Sequence, residues 1–379
     1  MDLKLTSNQE KIQHAARHFS STVIKPRAAD IDKKGCFPWE VIKQAGKQGF
    51  MGMTIPKKYG GSEMDPISYS LVLEEIARVC GSTALTVEAH NSLGIRHLYA
   101  KGTEDQRKKY LPSLTTGEHI AAWALTEAHA GSDAAGMQTT AAQEGNEWIL
   151  NGTKTFITSG KIADVLVVMA KTDKTRGAKG ISAFIVEKGT PGFSPGVEED
   201  KLGLRGTVTS ELVFEDCHIP QENLLGEQNN GFIGAMEILD AGRTAIASMA
   251  VGIAQGALNE SIAHVKKRKQ FNKSLSSFQA IQWMIADMAT QIEASRLLIH
   301  QAAYLEGKGK KFTKEASMAK LFSSTIAVHV ARKAIQIHGG YGYMMDRPLE
   351  RFLRDVKLCE IGEGTSEIQR LVISRQLGL

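Results

Sequence analysis

No Cys-x-x-Cys pair occurs in these 379 residues, and the four cysteines, Cys36, Cys80, Cys217 and Cys359, lie far apart. That spacing excludes the common zinc-finger patterns and supplies no disulfide framework, so no metal site is expected and the thiols read as reduced, as in a cytoplasm. Long apolar runs are also missing: no stretch approaches the roughly 18 residues of a spanning helix, so no membrane insertion is expected. The opening run "MDLKLTSNQEKIQ" has neither the apolar core of a secretion signal nor the acid-poor, Arg-rich character of a transit peptide, and the chain reads as soluble, cytoplasmic and unprocessed. Charge of one sign is scarce too. The 46 Lys and Arg against 41 Asp and Glu leave +5 spread along the chain, which does not call for nucleic acid. No tract is biased enough for disorder, and the length allows two or three packed units.

What is present falls into three textures. Residues 1–120 read as helices with short Gly/Pro breaks: "SNQEKIQHAARHFSSTVI" carries a helical apolar stripe, and Thr103 stands three residues before Gln106, the spacing of a capping box. Residues 121–228 are short β-rich runs, "NEWILNGTKTFITSG", "ADVLVVMAKTD", "KGISAFIVEKG" and "SELVFEDCHIP", without helical patterns between them, which predicts an antiparallel sheet or barrel. Residues 229–379 return to long Ala-rich helical stripes ended by glycine, which predict a bundle. The fold class is α+β multidomain, and the junction of the middle unit with the bundle is where a ligand site is expected.

Taken singly, the motifs each have a plain reading. "WALTEAHAGSDAAG" is a strand that breaks into a turn of small residues, able to approach a ligand closely or simply to turn. "HVKKRKQF" is a short basic run, either the solvated end of a helix or, through Arg268, a phosphate clamp. "QIHGGYGY" has clustered glycines but is not a G-x-G-x-x-G after a strand, so no Rossmann site is supported. In "GEGTSEIQRLVIS", Ser366 lies three residues before Gln369, so a capping box can start the last helix. Glu363 then sits ahead of a helix N-terminus, which favours its charge; alternatively it is a base on a flexible glycine-flanked loop.

Together these stretches resemble the acyl-CoA dehydrogenase family of flavoproteins over essentially the whole chain. "LTEAHAGSD", with Ala128 where proline is usual, and "EGTSEIQRLVISR" match its two hallmarks, and "RKQFNKSLSSFQAIQ" and "QIHGGYGY" fall at family positions. The resemblance implies a helical domain, a β domain and a C-terminal four-helix bundle, with FAD between the last two. It implies Trp123, Leu125, Thr126, Phe156 and Thr158 around the flavin ring, with Thr365 also at the cofactor. It implies Arg268, Phe271, Gln336 and Gly340 reaching the FAD of a neighbouring subunit in a homo-oligomer, usually a tetramer. Ser132, Phe232, Asp240 and Arg243 fall at positions that contact the CoA portion. Glu363 is implied to take the α-proton of an acyl thioester while hydride leaves the β-carbon for flavin N5. The carbonyl oxygen is held by the Glu363 N–H and a ribityl hydroxyl, and electrons pass on to an electron-transferring flavoprotein.

Two departures bear on substrate. Gly362 stands where a bulky tyrosine is often found, and Gly242 stands where isovaleryl-type relatives carry the base. His90 and Asn91 fall on a helix that borders the acyl chain in relatives; they contact the substrate or simply bond backbone or solvent. These features favour a branched or alicyclic thioester such as cyclohexane- or cyclohexene-carboxyl-CoA, with butyryl-CoA as runner-up. Two rivals share the fold: an acyl-CoA oxidase, which would release peroxide, and a non-catalytic DNA-binding flavoprotein, which would need a strong basic surface.

Overall fold

Thr6 and Thr103 open two N-terminal helices, each accepting the amide of a glutamine three residues on while that glutamine's side chain bonds back, a full capping box in both cases. A computed structural model describes residues 4–379; Met1, Asp2 and Leu3, part of the opening run read above, lie outside the described residues. The helices are α1 (Ser7–Phe19), α2 (Ala28–Lys34), α3 (Trp39–Lys47), α4 (Pro66–Ala77), α5 (Gly81–Ala89), α6 (Arg96–Lys101) and α7 (Glu104–Thr115). After the sheet come α8 (Gly231–Lys267), α9 (Gln279–Gly307), α10 (Thr313–His338), α11 (Leu349–Val356) and α12 (Ser366–Gln376). Between α5 and α6 the chain does not break: His90–Ile95 forms a wider π-helical turn, a local insertion often found beside functional sites.

The middle strands are β1 (Ala121–Ala124), β2 (Thr140–Glu144), β3 (Glu147–Thr158), β4 (Val165–Lys171), β5 (Ile181–Glu187), β6 (Phe193–Glu198), β7 (Thr209–Pro220) and β8 (Leu224–Leu225). They form one sheet in the order β6-β7-β3-β2-β4-β5-β8, with β1 beside β4. Most pairings are antiparallel, as the strand texture predicts, but β1 and β2 both run parallel to β4. Both faces of the sheet are covered. Along β4, Val165, Val167 and Met169 pack with Leu98, Leu111, Leu114 and Ile238 from the helices, whereas Leu166, Val168 and Ala170 pack with Trp148, Phe184, Leu212 and Phe214. A strand buried on both sides reads as a continuous apolar run rather than an alternation.

The N-terminal and C-terminal helices do not have separate interiors. Phe19, Val72 and Ile76 share one apolar core with Met249, Ile253, Ile299 and Val330. Helix α8 is the common wall, since it packs on α4 on one side and on α9 and α10 on the other. Its first residue also meets the sheet: a Cβ on Gly231 would lie 2.5 Å from the Ser182 backbone, so only glycine lets α8 start this close to β5. A short hairpin, β9 (Lys269–Gln270) with β10 (Lys273–Ser274), follows α8.

Candidate active site

Glu363 lies in the loop between a 3-10 turn at Lys357–Glu360 and α12, with φ of 55°, a left-handed conformation that few non-glycine residues adopt. Such a conformation persists where surrounding contacts over-determine it. Here Lys320 Nζ on α10 donates to the Gly364 carbonyl at 2.6 Å. Gln369 Nε2 on α12 donates to the carbonyls of Glu363 and Gly364 at 3.3 and 2.8 Å. This corrects the capping box expected at Ser366: Thr365 is the N-cap, accepting the Ile368 amide at 3.4 Å, and Gln369 clamps the loop instead of closing a box.

The loop aims the Glu363 carboxyl at α8. A Cβ on Gly242 would lie 1.9 Å from Glu363 Oε2, so the missing side chain at 242 is the space the carboxyl occupies. Nothing similar demands glycine at 362, where a Cβ would meet only Leu358 at 3.6 Å; Gly362 leaves room beside the carboxyl. Burial raises the Glu363 pKa to about 7, with nearby Glu88 and the charges of Lys320 and Arg243 acting in the other direction. Lys320 is itself fully buried, and burial pulls it down to about 8. Arg243, buried on α8, is held by Asp240 at 2.7 Å, and Asp240 also accepts the Thr313 hydroxyl. Phe232, Asp240 and Arg243 thus follow one another along the stretch of α8 that contains Gly242, and Phe232 packs against the core beneath the sheet.

Beside Glu363 stands a group that sequence reasoning missed. Glu88, on α5, is fully buried; Ser92 donates to its Oε1, and burial together with the charge of Glu363 holds its carboxyl well above the usual carboxylate range. The Tyr69 hydroxyl on α4 is buried there as well, without a partner among the described residues. A lone acid in "LTVEAHNSL" gives no sequence signal, because only the fold brings it to Glu363.

At its neighbours His90 and Asn91 the structure has the second of the two arrangements the sequence allowed, bonds to backbone. Asn91 Oδ1 accepts the Met53 amide at 2.9 Å, and Nδ2 donates to Phe50 and Val87 carbonyls at 3.0 and 2.8 Å. His90 accepts the Ala121 amide at Nδ1 and so donates from Nε2 to the Leu114 carbonyl, each at 3.0 Å. Burial holds this imidazole neutral, down to about 4. Both residues tie backbone segments together, and neither has a polar atom left for a substrate.

The β side of the site is built around a bulge. On β3, Thr155 and Phe156 face the single residue Glu211 of β7, because Lys154 pairs with Leu212 and Ile157 with Ser210. Phe156 takes φ of 59° and stands 62% exposed, a large aromatic held outward by strained backbone. Thr155 donates its amide to the Thr126 carbonyl at 2.9 Å, which places the "LTE" segment next to this ring. Trp123 is half-buried, its Nε1 donating to His97 Nδ1 at 2.9 Å, and Leu125 is buried. The Thr126 and Thr158 hydroxyls have no partner among the described residues. An exposed aromatic face with free hydroxyls and a buried unpaired Thr155 hydroxyl fits a flat heteroaromatic cofactor with a polar edge, as FAD has.

The missed support here is Lys154, fully buried, which donates to Glu127 Oε1 at 2.8 Å and to the Leu125 carbonyl at 3.1 Å. Glu127 in turn accepts the Gln138 and Thr139 amides at 2.6 and 3.0 Å. Although burial opposes its charge, Lys154 and these bonds hold Glu127 below the usual carboxylate range. The acid in "LTEAHAGSD" is therefore a structural anchor for the segment, and Ser132 projects exposed from the turn beyond it. Arg268, Phe271, Gln336 and Gly340 are all exposed on the bundle. Phe271 stands at the tip of the β9–β10 turn, 88% exposed with φ of 50°, and Arg268 lies against the Tyr341 ring.

Among the described residues no His, Cys, Asp and Glu group could hold a metal ion, and no helix is long and apolar enough to cross a membrane. Three family models cover the chain: acyl-CoA dehydrogenase N-terminal domain over residues 6–118, middle domain over 122–217 and C-terminal domain over 229–378. The chain is 48% identical over 377 residues to the short-chain specific acyl-CoA dehydrogenase of Clostridium acetobutylicum, covering 100% of both. It is also 48% identical over 373 residues to the caffeyl-CoA reductase-Etf complex subunit CarC of Acetobacterium woodii, covering 98% of each. The structure of butyryl-CoA dehydrogenase from Megasphaera elsdenii superposes with a TM-score of 0.98 at 42% identity, covering 100% of both chains.

Proposed function

The chain belongs to the acyl-CoA dehydrogenase family, FAD-dependent oxidoreductases acting on CH–CH bonds, and within it we propose that this enzyme dehydrogenates a short-chain acyl-CoA with Glu363 as the base. The observation that carries this reading is the Glu363 carboxyl itself, lodged in the space left by Gly242 and raised by burial to about 7. A base near the working pH balances availability against strength. FAD, when bound, supplies the acceptor for the β-hydrogen, which leaves as hydride while the C=C bond forms. Glu363 takes the α-proton. Its own backbone N–H has no partner among the described residues and is free to hold the thioester oxygen as charge develops there. Lys320 and Gln369 fix the carbonyls of Glu363 and Gly364, so that N–H and carboxyl keep their relative positions.

Trp123, Leu125, Thr126, Phe156, Thr158 and Thr365 hold the cofactor in this reading. Ser132, Phe232, Asp240 and Arg243 take the CoA portion. The exposed apolar side chains of the bundle, Phe271 and Trp283 among them, support a homo-oligomer in which Arg268, Phe271, Gln336 and Gly340 reach the FAD of the next subunit. The Etf-complex name of one relative supports an electron-transferring flavoprotein as acceptor.

The short-chain relatives favour a butyryl-type thioester over the ring thioester expected from the sequence, whereas the room beside Gly362 favours the ring. Anaerobic titration of the purified flavoprotein with butyryl-CoA and with cyclohexane-1-carbonyl-CoA separates them: bleaching of the flavin by butyryl-CoA alone is expected, and bleaching by the ring thioester alone overturns it. Glu363→Gln should keep FAD and lose roughly 10²–10⁴-fold in kcat. Turnover near that of the unmodified enzyme would sink the assignment.

A further inference from the structure

Helix α6 follows directly on the π-helical turn, and this stretch of chain meets β1 three times. His90 Nδ1 accepts the Ala121 amide at 3.0 Å, a Cβ on Gly94 would lie 2.6 Å from the Ala121 Cβ, and His97 Nδ1 accepts the Trp123 indole N–H at 2.9 Å. The first two contacts fix backbone, and the third fixes a side chain. Because its Nδ1 accepts, the neutral His97 ring carries its proton on Nε2, which lies on the side of α8, where a Cβ on Gly234 would stand 3.4 Å away. Burial, helped by Lys101 one turn on, holds this imidazole down to about 3, so the accepting lone pair is present across the neutral range. Trp123 lies on the helix side of the sheet, against the same core as Leu125, Tyr99, Phe232 and Met236. The other tryptophan of the sheet shows why its bond is more than the satisfaction of a donor. Trp148 is 3% exposed, edge-on to Phe184 at 5.2 Å, and its Nε1 has no partner among the described residues, so close packing alone holds that ring. Trp123 is only half-buried. A ring packed over part of its surface keeps a choice of angle in the broad χ2 well unless something anchors it.

We propose that His97 is a positioning residue for Trp123: by taking the indole N–H it fixes the angle of the ring that walls the site between the flavin and the start of α8. This rests on Trp123 holding the cofactor, as in the reading above. The bond has two consequences. It directs the one polar atom of the indole into the interior, so that Trp123 meets cofactor and thioester through carbon alone, and the polar edge of the flavin is left to the Thr126 and Thr158 hydroxyls. It also ties the ring to a buried residue of α6, so that the wall cannot tip without its helix. Without the acceptor, the N–H either stays buried and unpaired or swings toward the site to find a partner. In both cases the wall moves, and a small misplacement beside reacting atoms is costly to the rate.

The test compares His97→Leu, which has no acceptor, with His97→Asn, whose amide oxygen stands close to the place of Nδ1, both as FAD-loaded holoenzyme. His97→Leu should lower kcat with butyryl-CoA about tenfold, with KM changed less than about threefold, and should shift the visible circular dichroism of the bound flavin. His97→Asn should recover most of both. In a Trp123→Phe background there is no N–H to anchor, so adding His97→Leu should cost little more. An equal loss in both backgrounds overturns the proposal, because His97 would then act through the core and not through the indole; so does an unmoved flavin signal in His97→Leu. NMR of protein labelled with 15N-tryptophan gives a reading independent of turnover. Of the four indole N–H signals, the one missing from Trp123→Phe belongs to Trp123. In the unmodified protein that signal should be protected from exchange with solvent. Free exchange overturns the proposal even if His97→Leu does not fold. Trp123→Ala separates the two failures. If its flavin spectrum and kcat match those of the unmodified enzyme, the placement of Trp123 at the cofactor falls and the proposal with it; if they change while His97→Leu has no effect, only the role of His97 falls.

Discussion

Lys154 in the sheet and Lys320 in the bundle are both fully buried, and burial brings both down to about 8, yet they do different work. Lys154 has a fixed counter-charge, Glu127, at 2.8 Å, and the pair secures the segment behind the exposed Phe156 ring. Lys320 donates to an uncharged carbonyl, and the base is among the charged groups it feels. One lysine is neutralised where it stands. The other leaves part of its field for Glu363, which is why the same residue type reads as scaffold in one place and as electrostatic support in the other.

The contrast can be broken most forcefully at Lys154. Lys154→Met leaves Glu127 buried without its cation and should destabilise the fold by about 3–5 kcal/mol in denaturant unfolding, with FAD bound more weakly; replacing Glu127 by Gln as well should recover part of that loss. An undiminished midpoint would show that the pair is not an anchor.

The next effect concerns the charge that Lys320 faces. Glu363 titrates near 7 in the fold against an ordinary 4.5, so the fold favours its protonated form. The associated stability is present below pH 4.5 and is lost as pH rises through about 7. Glu363→Gln should therefore match the unmodified protein at pH 4 and exceed it by up to about 3 kcal/mol at pH 8, read as the difference in unfolding free energy.

Gly242→Ala sharpens the geometric side of the comparison. Its methyl would displace the flexible carboxyl rather than the helix, so kcat should fall about 10²-fold while folding and FAD content hold. The smallest change is expected from Lys320→Met, about 1–3 kcal/mol from the lost bond to Gly364. It should also raise the acidic limb of kcat/KM, because one of the charges holding Glu363 ionised is gone. Lys154→Met should not move that limb.

Residues whose role is local were legible in the sequence. The capping box at Thr103, the three textures and the glycine-ended helices all depend on neighbours within a few positions, and the structure has them. What depended on distant partners was not. Glu88 and Lys154 are single charged residues among uncharged neighbours, and their meaning comes from Glu363, 275 positions away in the first case, and from Glu127 in the second. Asn91 was left between two readings for the same reason: nothing in "EAHNSL" announces that Met53, Phe50 and Val87 will take its side-chain polar atoms. The cap shifted from Ser366 to Thr365 because Gln369 had a better use, and that use is visible only once the loop is closed.

The single interior shared by the first and last helices has a consequence for how the protein is made. A ribosome releases α4 long before α8 and α10, the helices that cover it, and at about 5–20 residues per second the roughly 260 intervening residues take on the order of 15–50 s. During that interval the nascent N-terminal segment carries an apolar face with nothing to cover it. A chain truncated within the sheet would never acquire its cover, so interrupted synthesis should yield fragments suited to chaperone capture or proteolysis rather than a partial enzyme.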